Sequence, residues 1–260
     1  MLPHFIIIGA QRGGTTSLYN YLTAHPQIVG MPRREVHFFT LHYERGFEWY
    51  REQFPSLLRS RLSRFTTAVL ITGESTPYYL FHPRVPERLH KMLPQVKLIA
   101  LLRNPIDRAY SHYHLVKRKN QETLSFEEAL KVEPERLAGE EEKMRSDPAY
   151  YSLHHHHHAY LRRGLYAEQL ERWYALFPRE QIHVVASEEL YADPRAVVKG
   201  TLRFIKPEWP DTWEADEYKK FNATEHDPMP PQLRQRLADF FRPHNERLYA
   251  LLGCDLRWDR

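Results

Sequence analysis

The stretch HFIIIGAQRGGTTSLYNYL, residues 4 to 22, constrains the fold more than any other part of the chain. Phe5 to Ile8 is an apolar, largely β-branched run with no polar alternation, the pattern of a strand buried on both faces of a parallel sheet. It leads into a loop containing Gly13 and Gly14, and the segment from about Thr16 to Ala24 then reads as a helix. A strand, a glycine loop and a helix in that order point backbone N–H groups and the positive end of the helix dipole at one spot. That makes an anion site.

Further apolar runs recur at AVLITGES (68 to 75), VKLIALLRN (96 to 104) and QIHVVASEEL (181 to 190). Helical patterns such as VPERLHKML and RGLYAEQLERWYALF separate them. Strand and helix alternate, so the expectation is a P-loop-like three-layer α/β/α fold with a central parallel sheet and ligands beyond the carboxyl ends of the strands. Pro231 to Leu252 reads as two helices broken at RPHN, because Pro243 does not continue a helix. With 260 residues, 42% of them hydrophobic, the chain is long enough for one large core, and no linker divides it, so a single domain over 1–260 is expected.

The glycine loop departs from a nucleotide-binding P-loop in one informative way. If Gly9 opens the pattern G-x-x-x-x-G-K-[ST], Gly14 and Thr16 fall in register but Thr15 stands where the lysine belongs. Arg12 is the nearest cation, and the hydroxyls of Thr15 and Thr16 add donors. A kinase also needs an acidic strand end to hold Mg²⁺, yet VKLIALL runs into Arg103, which argues against ATP as donor. In LLRNPIDRAYSHYHL, Asn104 suits a helix cap with Pro105 at the first helical position. Ser111 follows about two turns along the same face, and an arginine fork plus a hydroxyl suits a second phosphate.

On these residues the chain resembles the sulfotransferases that use 3′-phosphoadenosine 5′-phosphosulfate, in the branch with the heparan sulfate enzymes and their bacterial relatives. GAQRGGTTSLYNYL resembles the family's 5′-phosphosulfate loop and LLRNPIDRAYSHY its 3′-phosphate segment; REVHFF, GESTPYYL and MPPQLRQRLADFFRPHNERLYALLG extend the likeness over nearly the whole chain. The resemblance implies sulfuryl transfer to a hydroxyl or amine of a carbohydrate or small molecule, release of 3′-phosphoadenosine 5′-phosphate, and no metal requirement. It implies donor contacts from Arg12, Gly13, Gly14, Thr15, Thr16, Ser17, Arg103 and Ser111. A basic loop in EYKKFNATEH adds Lys219 and Lys220. Arg12 stands where relatives often carry lysine, and a fixed positive charge there stabilises the departing phosphate. Glu35 matches the family's catalytic glutamate; His37, two residues on, shares its side if the stretch is extended, and Glu74 is a third candidate acid. At Ser75 the chain departs from the heparan-modifying members, which tend to carry lysine there, and this argues against a heparan acceptor.

Two other classes fit parts of the pattern: a P-loop kinase of small molecules, and a non-catalytic binder of phosphoadenosine or sulfated polymers. The net charge of +4 favours anionic partners without requiring nucleic acid. Cys254 is the only cysteine, so no internal disulfide forms, and the N-terminal apolar run is too short for a signal peptide or membrane span. A cytoplasmic protein with no membrane partner is expected; the sequence does not reveal its oligomeric state. The run His154 to His158 lacks the supporting shell of a dedicated metal site, so it reads as structural.

Overall fold

The computed structural model describes residues 1–55, 70–209, 212–215, 217–219, 221 and 227–258. Five strands, β1 (Phe5–Gly9), β2 (Ile28–Val29), β3 (Ile71–Ser75), β4 (Lys97–Leu102) and β5 (Ile182–Ala186), form one sheet in the order β2-β3-β1-β4-β5. The strands are all parallel and lie at the centre of a three-layer α/β/α fold. Ile7 stands beside Ser75 on one side and Ile99 on the other. From β1 the chain first builds β2 and β3 on one side and later β4 and β5 on the other. The connection direction therefore reverses at β1 and β4, whose carboxyl ends mark the crevice where open parallel sheets bind ligands.

Two compact units make up the chain, Met1–Leu101 with Leu176–Asn222, and Leu102–Ala175 with Ala223–Arg260. In the first, Phe5 and Ile7 of β1 lie on the same sheet face as Ile99 and Leu101 of β4. They pack against Leu18 and Leu22 of helix α1 (Thr15–Thr23) and against Val198, Leu202 and Ile205 of the helix Pro194–Ile205. Ile6 and Ile8 on the opposite face are equally buried, which explains why β1 shows no polar alternation. At about 1.5–3 kcal/mol per fully buried aliphatic side chain, this strand is a large part of what holds the unit together. In the second unit, Ile106, Tyr110 and Tyr113 of the helix Pro105–Arg118 share a core with Leu233, Leu237 and Phe241.

Two local expectations are corrected. The stretch 231–252 is one helix, Pro231–Leu252, and Pro243 lies inside it. A proline there loses a hydrogen bond and crowds the preceding turn. Leu233, Leu237 and Phe241 before it and Asn245 and Leu248 after it form one buried stripe, and keeping that stripe continuous outweighs the local penalty. The run 181–190 is likewise not a single strand, because β5 ends at Ala186 and a helix spans Ser187–Ala192. Glu188 and Glu189 in its first turn favour the positive end of the helix. Of the stretch 68–75, residues 68 and 69 lie outside the described residues. Among the described residues, no helix is long and apolar enough to cross a membrane.

Candidate active site

At the end of β1, the N–H of Ala10 donates to the carbonyl of Leu101 at 2.7 Å, and the N–H of Gly13 turns back to Ala10 at 2.9 Å. A side chain at Gly13 would put its Cβ 2.6 Å from the Leu101 oxygen, so only glycine lets the loop cross so close to β4. Gly14 is the N-cap of α1 in the left-handed region, φ 88°, and no side chain caps the helix. Its first turn holds no acidic residue, and first-turn amides have no acceptor within their own helix. The end of α1 is thus built to receive an anion. Thr15 and Ser17 are buried, Thr16 and Arg12 half-buried, and Arg12 adopts φ 69°. Two residues that sequence reasoning missed brace the loop from the helix Ser187–Ala192: Ser187 donates its hydroxyl to the Gly13 carbonyl at 2.5 Å, and the hydroxyl of Tyr191 lies beside Gly14.

A strap formed by residues 31–37 brings the candidate base to the same unit. Tyr19 of α1 accepts the N–H of Met31 at 2.9 Å and donates to the Gly73 carbonyl at 3.2 Å. Ser75 donates its N–H to the Arg34 carbonyl, and the hydroxyl oxygen of Thr76 accepts the N–H of Val36 at 3.1 Å and of His37 at 3.5 Å. The strap therefore hangs from the carboxyl end of β3. Glu35 receives a hydrogen bond from Arg34 at 2.9 Å and has His37 Nε2 at 3.4 Å from its other oxygen. Burial pushes the Glu35 carboxyl up, but its hydrogen bonds from His37 and Arg34 and their charges outweigh burial and hold it below its ordinary value. The Glu35 and His37 side chains meet, but not on the extended backbone on which the sequence put them on one side: His37 sits at φ 55°, ahead of the helix Phe38–Leu41.

Glu74, fully buried, lies behind the strap. Its carboxylate accepts from Tyr50 at 2.5 Å, from Thr76 at 2.7 Å, and more distantly from Tyr79. Burial raises its pKa to about 7 against these hydrogen bonds and the charge of His37. Sequence reading singled out Glu74 but not Tyr50, Thr76 or Tyr79. The signal within reach was the proximity of Thr76 and Tyr79 in GESTPYYL; Tyr50 is remote in sequence and carries none.

The segment around Lys219 reaches α1 through its backbone. Tyr21 donates its hydroxyl to the Lys219 carbonyl at 2.7 Å, and the hydroxyl of buried Ser17 accepts the N–H of Phe221 at 3.1 Å. The ammonium of Lys219 is exposed and pairs with Glu217. Lys220 lies outside the described residues. In the second unit, Asn104 caps the helix Pro105–Arg118 by accepting the N–H of Ile106 at 3.0 Å, and Tyr166 donates to the Arg103 carbonyl. Ser111 is buried on that helix. His154 to His157 belong to a short helix, Leu153–His157, capped by Ser152; His155 and His158 are buried. Among the described residues, no group of three or more His, Cys, Asp or Glu could hold a metal ion.

A parallel three-layer α/β/α sheet fold, with a glycine loop and an uncapped helix end at its switch strand and a paired glutamate and histidine beside the next strand, defines the class of fold. Comparison places the chain within that class: a family model for the sulfotransferase domain matches residues 2–244. The chain belongs to the sulfotransferase domain family. It is 31% identical over 99% of its length to a membrane-associated sulfotransferase, kil1, of Dictyostelium discoideum, covering 66% of that protein. It is also 31% identical to human heparan sulfate glucosamine 3-O-sulfotransferase 5, over 99% of this chain and 74% of that one. The crystal structure of a sulfotransferase from Alicyclobacillus acidocaldarius superposes with a TM-score of 0.71 at 34% identity, over the full length of both chains.

Proposed function

We propose that this protein transfers a sulfuryl group from 3′-phosphoadenosine 5′-phosphosulfate to a hydroxyl or amine of a carbohydrate or small-molecule acceptor. The observation that carries this reading is Glu35, a carboxylate kept ionised by Arg34 and His37 on a strap pinned to the sheet's carboxyl end. The donor fits the residues present: a helix end with an uncapped left-handed Gly14 and no acid in its first turn suits a phosphosulfate. The donor supplies an electrophilic sulfur and a phosphate leaving group.

The amides of the first turn of α1 and the hydroxyls of Thr15 and Thr16 would hold the 5′ end, and the Arg12 guanidinium would place fixed charge near the departing phosphate. In the second unit, Arg103 and Ser111 supply a fork and a hydroxyl suited to the 3′-phosphate. Glu35 takes the proton from the acceptor as the new bond to sulfur forms. That bond makes the acceptor's proton strongly acidic, so a carboxylate held below its ordinary pKa is base enough.

On the acceptor side, burial and the charges of Arg45, Arg33 and His37 lower the pKa of His42. Labelled donor offered with heparan sulfate, desulfated heparosan, chondroitin, phenols and amines tests the reading, with calorimetric titration of adenosine 3′,5′-bisphosphate and of ATP with magnesium alongside. Tight binding of the bisphosphate and label in one acceptor class is expected. Preference for ATP with phosphoryl transfer would overturn it.

A further inference from the structure

The family reading uses Glu35 but leaves a question in the interior: why a fully buried glutamate faces three hydroxyl groups. Tyr50, Thr76 and Tyr79 all direct oxygens at Glu74, and none of the three brings a compensating positive charge. Unpaired buried acids are costly, and a structural need for a polar group there would be met by glutamine. Thr76 supplies the clue. A hydroxyl has one hydrogen to donate and two lone pairs. The Thr76 hydrogen goes to Glu74 Oε2, so both lone pairs face the N–H groups of Val36 and His37. An acceptor-only carboxylate fixes that orientation; an amide in its place presents a donor to Thr76 as readily as an acceptor.

We propose that Glu74 is a positioning residue for sulfuryl transfer: by orienting the Thr76 hydroxyl it locks the backbone of Val36 and His37, and so holds Glu35 and His37 where they meet the acceptor. This rests on the transferase reading above. The remaining contacts agree with it. Tyr50 anchors the other oxygen of the carboxylate, and Tyr79 reaches both oxygens and also accepts the N–H of Phe39, just beyond the strap. Burial and the neighbouring Glu74 push both tyrosine hydroxyls well above their ordinary range, so they stay protonated donors. Among the described residues, His37 from the strap and Tyr19 from α1 are further titratable groups that feel its charge. His37 is itself hydrogen bonded to Thr40 through Nδ1, so a locked backbone also fixes its ring.

The test uses the full chain and two readouts. In hydrogen–deuterium exchange, the peptide carrying the Val36 and His37 amides should exchange about tenfold faster in Thr76→Val and in Glu74→Gln, and close to the wild-type rate in Thr76→Ser. With labelled donor and the best acceptor of the panel above, Thr76→Val should lower kcat by about 30-fold while KM for the donor stays within about threefold, since a misplaced base costs turnover more than binding. Thr76→Ser should recover most of kcat. Tyr50→Phe keeps the core ring and removes one donor to Glu74; it should lower kcat in the same direction and covers the case in which Thr76→Val fails to fold. Glu74→Gln should also remove an acid limb near pH 7 from the rate profile. Unchanged exchange in Thr76→Val, or faster exchange with unchanged kcat, overturns the proposal. A wild-type protein that transfers no sulfuryl group, while Thr76→Val still loosens the strap, overturns the transferase reading and leaves the lock in place.

Discussion

Tyr50 donates its hydroxyl to Oε1 of Glu74 at 2.5 Å, and both side chains are fully buried. Helix Gly46–Glu52, which carries Tyr50, is thereby tied to the end of β3 by a short polar contact inside an aromatic cluster. Tyr50 stacks on Phe38 with ring centroids 4.6 Å apart and meets Phe39 and Phe54 edge-on. A carboxylate in such surroundings is held by hydroxyls but pays the full cost of leaving water, and burial wins: its pKa rises to about 7.

That shift predicts a pH-dependent stability. In the unfolded chain a glutamate titrates near its ordinary value, so between about pH 4.5 and 7 the folded state binds a proton that the unfolded state has lost. The stability Glu74 contributes is full at low pH and falls as pH rises through about 7, by an amount on the order of 3 kcal/mol. Glu133, also raised to about 7 by burial, adds a slope of the same sign. Urea unfolding at pH 5 and pH 8 should show wild type losing more stability across that interval than Glu74→Gln, because the variant lacks the Glu74 contribution while every other shifted group is common to both proteins. Parallel losses in the two proteins would mean that Glu74 is not protonated in the fold at pH 5.

Much of this arrangement was legible because it is local. β1, the glycine loop and α1 follow one another within 20 residues, and their hydrophobic periods and glycine positions carry the course of the loop's own backbone. Asn104, Pro105 and the helix behind them were legible for the same reason. What stayed hidden depends on distant partners: Ser187 against Gly13, Tyr50 against Glu74, Ser17 against Phe221. No period or motif links residues so far apart, and each is an ordinary hydroxyl or aromatic until its neighbour is known. Pro243 failed in the opposite sense. Its local rule was sound, and a buried stripe of remote contacts overrode it.

Glu35→Gln should leave affinity for adenosine 3′,5′-bisphosphate nearly unchanged and lower turnover by a factor of about 10² or more, as expected when a general base is lost. The amide keeps the hydrogen bond from Arg34, so the strap stays in place and the comparison isolates the proton acceptor. Single-turnover rates with labelled donor check this. Near-normal turnover would move the base role to His37, whose Nε2 is 3.4 Å from Glu35.

Arg103→Ala separates the two ends of the donor. If the guanidinium holds the 3′-phosphate, its loss should weaken adenosine 3′,5′-bisphosphate by roughly 2 kcal/mol, the scale of a charge-assisted contact, and hardly change affinity for adenosine 5′-phosphate. The Arg103 carbonyl keeps its bond from Tyr166 in the variant, since the backbone is untouched. Calorimetry with both ligands decides; equal losses would make Arg103 a structural residue.

Arg12 bears on why the loop needs no lysine at the Walker position. Its backbone sits at φ 69°, a conformation that costs a non-glycine residue on the order of 1 kcal/mol, so the side chain is retained against a local penalty. If that side chain acts as fixed charge on the departing phosphate, Arg12→Lys should keep much of the activity. Arg12→Ala should remove most turnover while still binding the bisphosphate, because the lost contact is strongest in the transition state. Arg12→Gly should relieve the backbone and raise the melting temperature while losing turnover as Ala does. Stability and rate would then move in opposite directions at one position, which a purely structural arginine does not produce. Thermal unfolding and turnover of the three variants, with a chelator present to confirm that magnesium is dispensable, measure this directly. Full activity in Arg12→Gly would remove Arg12 from the chemistry and leave the helix end of α1 to stabilise the phosphate alone.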